Sequence, residues 1–349
     1  MNRDAAAGLE VKELDAASAD RWDAFVAACP EATFFHRAGW KQVIEQSFGH
    51  RGHFLYAVRG EAVVGVLPLV HLKSRLFGTS LVSSAFAVYG GSAASEEAAR
   101  AVLDARSRAL ADELDVDHLE YRGPAPTGCG WRCKSDLYVT FRKAVDPEPE
   151  KNLLAIPRKQ RAMVRKGIKA GLVSEIDEDV DRLHRIYAES VRNLGTPVFP
   201  KAYFRTLKEM FGDACEVLTV SGSGGPVASV MNFHFRDEVL PYYGGGTPAA
   251  RDLAANDFMY WEVMRRACER GVRLFDFGRS KQGTGSFAFK KNWGFDPEPL
   301  NYAFKLRRGD RIPDVNPLNP KYRLFIAAWK RLPLPVANLI GPRIARSLG

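Results

Sequence analysis

The order of apolar and polar residues divides the first half of the chain into short strands and amphipathic helices. Residues 53–58 and 62–72 alternate as strands do, and Arg59-Gly60-Glu61 between them has the composition of a hairpin turn. The other elements predicted here are a strand and helix start over 8–21, helical turns up to about Phe48, strands at 80–89, 117–122 and 136–142, and a helix over 94–113.

The second half repeats this order behind an additional basic helix. The pattern predicts that helix over 158–169, with Pro157 placed near its start. The elements predicted after it are helices at 178–193 and 200–211, strands at 215–220, 226–235 and 239–243, a helix at 254–270, and strands at 272–277 and 300–306.

Short sequences recur in the two halves at matching places. GEAVVGVLPL (60–69) returns as GGPVASVMNF (224–233), and AVYGG (87–91) returns as PYYGG (241–245). The spacing is far longer than the ~20–50 residues of a solenoid repeat, so it indicates a duplicated domain.

The length of 349 residues fits two domains of roughly 150 residues each. We therefore predict an α/β (α+β) fold with two tandem domains, over 8–145 and 152–310, and a basic tail over 315–349. The polar, proline-containing stretch 144–151 is the expected linker.

Charge and composition restrict the partners and the compartment. The net charge of +9 favours an anionic partner, and no acidic residue interrupts 158–169 or 315–349. The start of the chain has no apolar leader and no run of ~18 apolar residues occurs, which predicts a cytoplasmic protein without a membrane span. Five scattered cysteines, with Cys129 and Cys133 lacking a second ligand pair, predict reduced thiols and no metal site.

The same element order occurs twice, each time with a glycine-containing loop after the central strands. This arrangement resembles the GNAT acyltransferase fold in tandem. The segment RAMVRKGIKAG (161–171) resembles the basic helix of the FemAB family, and FDFGR (275–279), FK (289–290) and WG (293–294) resemble that family's C-terminal motifs. The likeness is nearest to FemAB-like proteins of exopolysaccharide and exosortase gene clusters.

That resemblance implies transfer of an acyl or aminoacyl group to an amine or hydroxyl of an anionic or lipid-linked envelope precursor. Acyl-CoA and aminoacyl-tRNA are the two candidate donors, and nucleic acid is a partner only if tRNA is the donor. Neither is assigned as a cofactor, because the loop at Gly244 lacks the usual CoA pyrophosphate pattern and no coiled-coil insertion of the tRNA-dependent members is visible.

Three residues near the end of the second domain are candidates for the chemistry. The resemblance places Lys290 in substrate contact, where its charge would stabilise a developing oxyanion; the alternative is a solvated lysine beside Lys291. Asp276 and Arg279 lie at a predicted strand end, a place that supplies functional groups to clefts, and they are candidates for the site. The alternative is an ordinary ion pair that closes the loop.

Three further candidates lie on the central strands. Asn232 and His234 alternate on one face of an otherwise apolar strand, so His234 is a candidate base or a structural histidine. Tyr243 is a candidate to protonate the leaving group or to contact the acceptor, with core packing as its alternative. We expect His234 and Tyr243 to meet Asp276, Arg279 and Lys290 in one pocket.

Six residues are predicted to bind substrate. They are Arg161 and Arg165 on the basic helix, Arg279, Phe289 and Trp293 of the C-terminal motifs, and Asn232 on the central strand. A solvated helix face is the alternative for Arg161 and Arg165.

Three functions remain open at this point. The first is a FemAB-type acyltransferase, the second a CoA-dependent N-acetyltransferase acting on a soluble amine, and the third a nucleic-acid-binding protein that uses 158–169. The tail over 315–349 either lies on an anionic membrane at its inner face or packs back onto the second domain. No oligomeric state is predicted.

Overall fold

The computed structural model describes residues 8–74, 78–126, 130–135, 137–312 and 320–347, with side chains in the last range from 323 onward. The described chain forms two compact units. The first unit consists of residues 8–135 and 300–312, and the second consists of 137–299 and 320–346.

The first part of the chain begins with a strand and two helices and then forms most of one sheet. Its elements are β1 (Leu9–Glu13), α1 (Ala19–Ala28), α2 (Gly39–Phe48), β2 (Arg51–Arg59), β3 (Ala62–Ser74), β4 (Gly78–Ser83), β5 (Ala93–Ala94), α3 (Glu97–Glu113), β6 (His118–Tyr121) and β7 (Arg132–Lys134).

The remaining elements form the second sheet, one strand of the first sheet and the tail. They are β8 (Tyr138–Ala144), α4 (Pro149–Ala155), α5 (Arg158–Lys169), β9 (Val173–Asp177), α6 (Asp181–Leu194), α7 (Lys201–Phe211), β10 (Cys215–Gly222), β11 (Gly225–Phe235), β12 (Glu238–Gly246), α8 (Pro248–Asp252), α9 (Ala255–Glu269), β13 (Leu274–Asp276), β14 (Ser280–Lys281), α10 (Gly285–Asn292), β15 (Pro297–Pro299), β16 (Tyr302–Leu306), α11 (Pro320–Trp329) and α12 (Leu334–Ala345).

Each unit contains one sheet with the same central arrangement. The strand order is β1-β2-β3-β4-β6-β16-β7 in the first unit and β14-β8-β13-β12-β11-β10-β9 in the second. In both units an antiparallel run ends in one parallel pair, β4 with β6 and β12 with β13. A helix connects the two strands of each parallel pair, α3 in the first unit and α9 in the second, so the duplicated order predicted from sequence is present in both sheets.

The last strand of each predicted domain belongs to the other unit. The strand expected at 136–142 to close the first domain is β8, which pairs with β13 in the second sheet. The strand expected at 300–306 to finish the second domain is β16, which pairs with β6 in the first sheet. The ranges 8–145 and 152–310 are therefore wrong at their ends, because alternation predicts that a segment is a strand but does not identify its neighbour.

The core of the second unit depends on close packing of α5 against α9. Gln160, Val164 and Gly167 form the buried face of α5. A side-chain carbon at Gly167 would lie 2.7 Å from the Cβ atom of Phe258 in α9, so only glycine allows the two helices to approach this closely.

The tail packs on α6 by one face of its two helices. Trp329 and Ala337 are buried, and a side-chain carbon at Gly341 would lie 3.1 Å from the backbone nitrogen of Val198. Arg192 of α6 donates a hydrogen bond of 3.3 Å to the carbonyl of Lys330. This agrees with the packing alternative for 323–347. Residues 315–319 and 348–349 of the predicted tail lie outside the described residues.

Replacing Gly167 by leucine is expected to destabilise the second unit. The side chain would force α5 away from Phe258, at a cost of about 1–3 kcal/mol in the free energy of unfolding. Ala162→Leu, at an exposed position of the same helix, is the matched control and should change stability by less than about 0.5 kcal/mol. Chemical denaturation of both variants measures the difference, and equal stabilities would contradict the close contact of α5 with α9.

Candidate active site

The parallel strands of the second unit part after two residue pairs. Glu238 pairs with Leu274 and Val239 with Phe275, after which β13 ends at Asp276 while β12 continues to Gly246. No strand of the described chain pairs with 240–246 on this side. The result is a V-shaped opening that exposes one edge of β12.

A cluster of charged side chains lies at the vertex of this opening. Asp276 is fully buried, and its Oδ1 atom accepts hydrogen bonds from the Thr140 hydroxyl (2.9 Å) and the Gly278 amide (2.6 Å). Arg142 forms ion pairs with two carboxylates, from Nε to Oδ2 of Asp276 (3.1 Å) and from Nη2 to Oε2 of Glu238 (3.1 Å). One guanidinium thus holds two carboxylates together.

Glu238 is the member of this cluster that can exchange a proton near neutral pH. Burial and the neighbouring Asp276 carboxylate raise the pKa of Glu238 to about 7, although Arg142 acts in the opposite direction. Its side chain is partly exposed, whereas that of Asp276 is not. Sequence analysis missed both Glu238 and Arg142, since Glu238 follows Arg236-Asp237 in what reads as a charged turn.

Lys290 is buried and bonded to the backbone of the turn that follows β13. Its ammonium donates hydrogen bonds to the carbonyls of Phe277 (2.6 Å), Gly278 (2.9 Å) and Arg279 (3.2 Å). Burial lowers the pKa of Lys290 to about 7, while the Asp276 charge opposes this shift. The lysine therefore stabilises this turn, and the alternative of a solvated lysine is wrong.

The neighbours of Lys290 in the predicted site have different surroundings. Arg279 is exposed and stacks on the Tyr138 ring at 4.7 Å from its centroid. Trp293 is fully buried and donates from Nε1 to the Asp257 carboxylate (3.0 Å). Phe289 is partly buried and contacts Trp293, with ring centroids 6.1 Å apart. Trp293 is thus a core residue.

His234 lies on the opposite face of the sheet from Asp276. It pairs with Val239, which packs into the core beneath α9, whereas Asp276 points to the other face. Its Nε2 atom is 3.3 Å from Arg270 and 3.9 Å from the Glu216 carboxylate, and burial lowers its pKa. The expected convergence of His234 with Asp276 is therefore wrong.

Asn232 shares that face and is completely buried. Neither atom of its amide has a hydrogen-bond partner among the described residues. It lies beside an irregularity in the ladder, where Met231 pairs with Tyr243 and Asn232 pairs with Pro241, so that Tyr242 is bulged out.

Tyr243 points to the face of the sheet that Asp276 shares, but its hydroxyl is engaged. It forms a hydrogen bond of 2.7 Å with the Tyr203 hydroxyl of α7 and packs edge-on against Phe204. Burial raises the pKa of Tyr243 far above its usual range, so proton transfer from this hydroxyl is disfavoured.

Tyr260 of α9 is a third residue of this region that the sequence pattern did not reveal. Its ring contacts Phe277 beyond β13 at 5.0 Å between centroids, and its hydroxyl would lie 3.3 Å from a side-chain carbon at Gly244 of β12. The ring therefore extends across the opening, and Gly244 leaves room for its hydroxyl. Within a predicted helix, Tyr260 was indistinguishable from a core residue.

The corresponding opening in the first unit is filled by its own chain. Beyond the parallel pairing of β4 with β6, the Gly90 amide donates to the Arg122 carbonyl (2.8 Å), and the Gly91 and Arg122 amides both donate to the Ser83 hydroxyl (2.9 Å each). Arg122 also donates from Nη1 to the Ala87 carbonyl (2.6 Å). Within the described residues, the corresponding strand edge of the second unit has no pairing partner beyond Val239.

The exposed face of α5 forms an open groove of about 430 Å³ lined by cations. The groove is lined by Arg158, Arg161, Ala162, Arg165, Lys166 and Lys169. Arg161 donates to the Leu154 carbonyl (2.6 Å), and within the described chain no carboxylate forms an ion pair with any of these cations. No group of side chains suited to hold a metal ion occurs in the described residues.

Comparison with known proteins identifies the class of this chain. A family model described as an acetyltransferase (GNAT) domain matches residues 157–291, which include β12, α9 and β13. No curated protein matches the sequence. The chain is an acyltransferase, with an α/β fold of two tandem GNAT-like units.

Solved structures share this tandem fold at low sequence identity. FemX is 15% identical with a TM-score of 0.67, covering 91% of this chain and 100% of its own. The C-terminal domain of a putative lysylphosphatidylglycerol synthetase from Agrobacterium fabrum is 15% identical with a TM-score of 0.56, covering 84% and 93%. A tandem GNAT protein from the clavulanic acid biosynthesis pathway is 17% identical with a TM-score of 0.54, covering 87% and 100%.

Replacing Lys290 by methionine is expected to destabilise the protein. Methionine keeps the apolar stem but leaves three buried carbonyls without a donor, which should cost about 1–3 kcal/mol of unfolding free energy. Lys291→Met, at the exposed neighbouring position, should be nearly neutral. Urea denaturation distinguishes them, and equal stability of the two variants would indicate that Lys290 is not a structural residue.

Proposed function

We propose that the protein is a FemAB-type enzyme that transfers an acyl or aminoacyl group to an amine or hydroxyl of an anionic or lipid-linked precursor of the cell envelope or exopolysaccharide. The observation that carries the proposal is the partly exposed Glu238, held beside Asp276 by Arg142 where β12 and β13 part. The tandem fold shared with FemX supports the family, and the GNAT match supports the reaction class.

In this reaction Glu238 is the proton acceptor. The acceptor nitrogen or oxygen bonds to the acyl carbon while its proton passes to the Glu238 carboxylate, and the bond from the acyl carbon to the donor's sulfur or oxygen breaks. A base is most effective when its pKa lies near the working pH, and Glu238 meets this condition with a pKa of about 7. Arg142 keeps the carboxylate pointed at the vertex.

The donor binds along the unpaired edge of β12. Backbone N–H and C=O groups of 240–246 can hydrogen-bond an extended acyl carrier, as an added strand does. The hydroxyl of Tyr260 lies at this edge and can donate a hydrogen bond to the departing sulfur or oxygen. Because burial raises the pKa of Tyr260 to about 12, the leaving group takes its proton from solvent. Acyl-CoA and aminoacyl-tRNA both fit these requirements, and calorimetric titration with each identifies the donor.

The groove on α5 binds the anionic part of the acceptor. Arg161 and Arg165 line it, and its cations have no competing carboxylate in the described chain. Guanidinium groups hold phosphate and carboxylate oxygens through paired hydrogen bonds. A precursor that carries a phosphate or diphosphate suits this surface, and lysylphosphatidylglycerol synthetase, whose C-terminal domain shares the fold, acts on an anionic lipid by its name.

Replacing Glu238 by glutamine tests the proposed base. With the donor identified by calorimetry, the wild-type rate of transfer is expected to rise with pH through about 7, as Glu238 loses its proton. The Gln variant should lose this limb of the profile and about 10²–10⁴-fold in rate. Glu298→Gln, at an exposed position on β15, is the matched control and should retain the profile.

Stability measurements separate this loss of activity from misfolding. In the folded protein Glu238 keeps its proton up to about pH 7, whereas its ordinary pKa is 4.5. The stability that protonated Glu238 contributes is therefore fully present below pH 4.5 and is lost as the pH rises to about 7. Glutamine mimics the protonated form, so the variant should be more stable than wild type above pH 7. An unchanged pH–rate profile in a folded variant, or binding of neither donor, would contradict the proposal.

Inorganic pyrophosphate tests the anion site on α5. Arg161→Ala and Arg165→Ala should each weaken its binding roughly tenfold, because each removes a charge-assisted hydrogen-bond donor from the groove. Lys159→Ala is the control, since this exposed lysine of α5 does not line the groove. Equal weakening by all three variants would mean that pyrophosphate responds to the overall positive charge of α5 and not to a defined site. Salt-dependent retention of RNA would favour the nucleic-acid-binding alternative.

A further inference from the structure

Exposed apolar side chains are concentrated on the tail and on the end of α6 beside it. Nine large apolar residues are exposed in the described chain, and five of them lie here. They are Leu194 (68% exposed), Leu324 (84%), Phe325 (41%), Val336 (41%) and Leu339 (68%). Single exposed leucines are ordinary on protein surfaces, but a concentration of this kind marks an interaction site.

These side chains are exposed on helices that are themselves held in place. Trp329 and Ala337 anchor the inner faces of α11 and α12, and Ile326 lies against Gly195, the residue that follows Leu194. The exposed leucines are therefore not the result of a loose segment. They belong to the outer face of a packed structure, next to the end of α6.

The outer face of each tail helix has a regular apolar composition. In α11, Leu324, Ala327 and Ala328 are all exposed, and the spacing of Leu324 and Ala327 puts them opposite the buried Trp329. In α12, Val336, Leu339 and Arg343 follow each other at helical spacing and are exposed as well. Both helices thus present apolar groups outward.

Positive charge surrounds this apolar face without any compensating carboxylate. Arg323, Lys330, Arg331 and Arg343 are exposed, and no ion pair involves them among the described residues. No Asp or Glu occurs from 315 to 349. Arg323, Lys330 and Arg331 lie close to the leucines in the sequence, and Arg343 follows Leu339 by one turn on the same face. Exposed leucines accompanied by cations are the composition of a helix that lies in a membrane interface.

We propose that the outer face of α11 and α12 docks on an anionic phospholipid surface. Leu324, Val336 and Leu339 enter the boundary between headgroups and acyl chains, while the four cations contact lipid phosphates. A second copy that docked through this same face would bring its own cations against these, so charge favours the anionic lipid surface over a symmetric dimer. The described residues contain no helix that could cross a bilayer.

This surface goes beyond the proposed function and stands independently of it. If the acceptor is lipid-linked, docking places the enzyme where that acceptor resides. Lipid binding and acyl transfer are measured separately, so failure of either leaves the other open to its own test.

Sedimentation of the full chain with vesicles tests the docking surface. We expect binding to phosphatidylcholine vesicles that contain phosphatidylglycerol and little binding to phosphatidylcholine alone. Leu324→Ser with Leu339→Ser should reduce the partition coefficient by roughly tenfold or more, since two exposed leucines lose their burial in lipid. Leu154→Ser, at a leucine of α4 that is 58% exposed, is the matched control and should bind as wild type does.

A charge variant gives an independent measurement. Lys330→Gln with Arg331→Gln should lower binding to anionic vesicles by roughly fivefold for each cation removed. All of these positions are exposed, so the variants avoid the unfolding expected if the packed tail were deleted. Equal sedimentation of the leucine variant and wild type, indifference to phosphatidylglycerol, or a dimer that the leucine variant dissociates would overturn the proposal.

Discussion

The fully buried carboxylate of Asp276 is the constraint on which the candidate site depends. A buried charge without compensation costs several kcal/mol, so the surrounding elements must supply donors and cations. Thr140 of β8 donates a hydrogen bond to this carboxylate, and Arg142 of β8 supplies a cation. The Gly278 amide donates a second hydrogen bond, and Lys290 stabilises the turn that carries that amide. Because β8 provides two of these groups, the site requires the strand that the second sheet receives from the first half of the chain.

The duplicated units have diverged at the same structural position. Both have a parallel strand pair joined through a helix, but hydrogen bonds of Ser83, Gly90 and Arg122 fill the space next to the pair in the first unit. In the second unit three successive glycines end β12, and the space remains open with Tyr260 across it. The chain thus retains two copies of the fold, while the unpaired strand edge at which we propose that the donor binds is found in the second.

Local patterns in the sequence predicted the elements well and their partners poorly. The alternation in 215–220 and 226–235 corresponds to β10 and β11, and the long helix at 254–270 corresponds to α9. The exchange of β8 and β16 was not predictable, because an amphipathic strand can pair with either sheet. The FK motif located Lys290, but only its three carbonyl contacts reveal its structural role. Glu238 was missed because its raised pKa depends on burial and on the carboxylate of Asp276, and neither is visible in the residues around position 238.

Amide hydrogen exchange on addition of the donor tests the central claim most directly, because it reports which unit binds. The full chain is compared with and without acetyl-CoA, and separately with and without aminoacyl-tRNA. The account predicts that the donor protects residues 240–246 at the edge of β12, while 84–92 of the first unit keep their exchange rates. Protection of 84–92 with no change at 240–246 would contradict it.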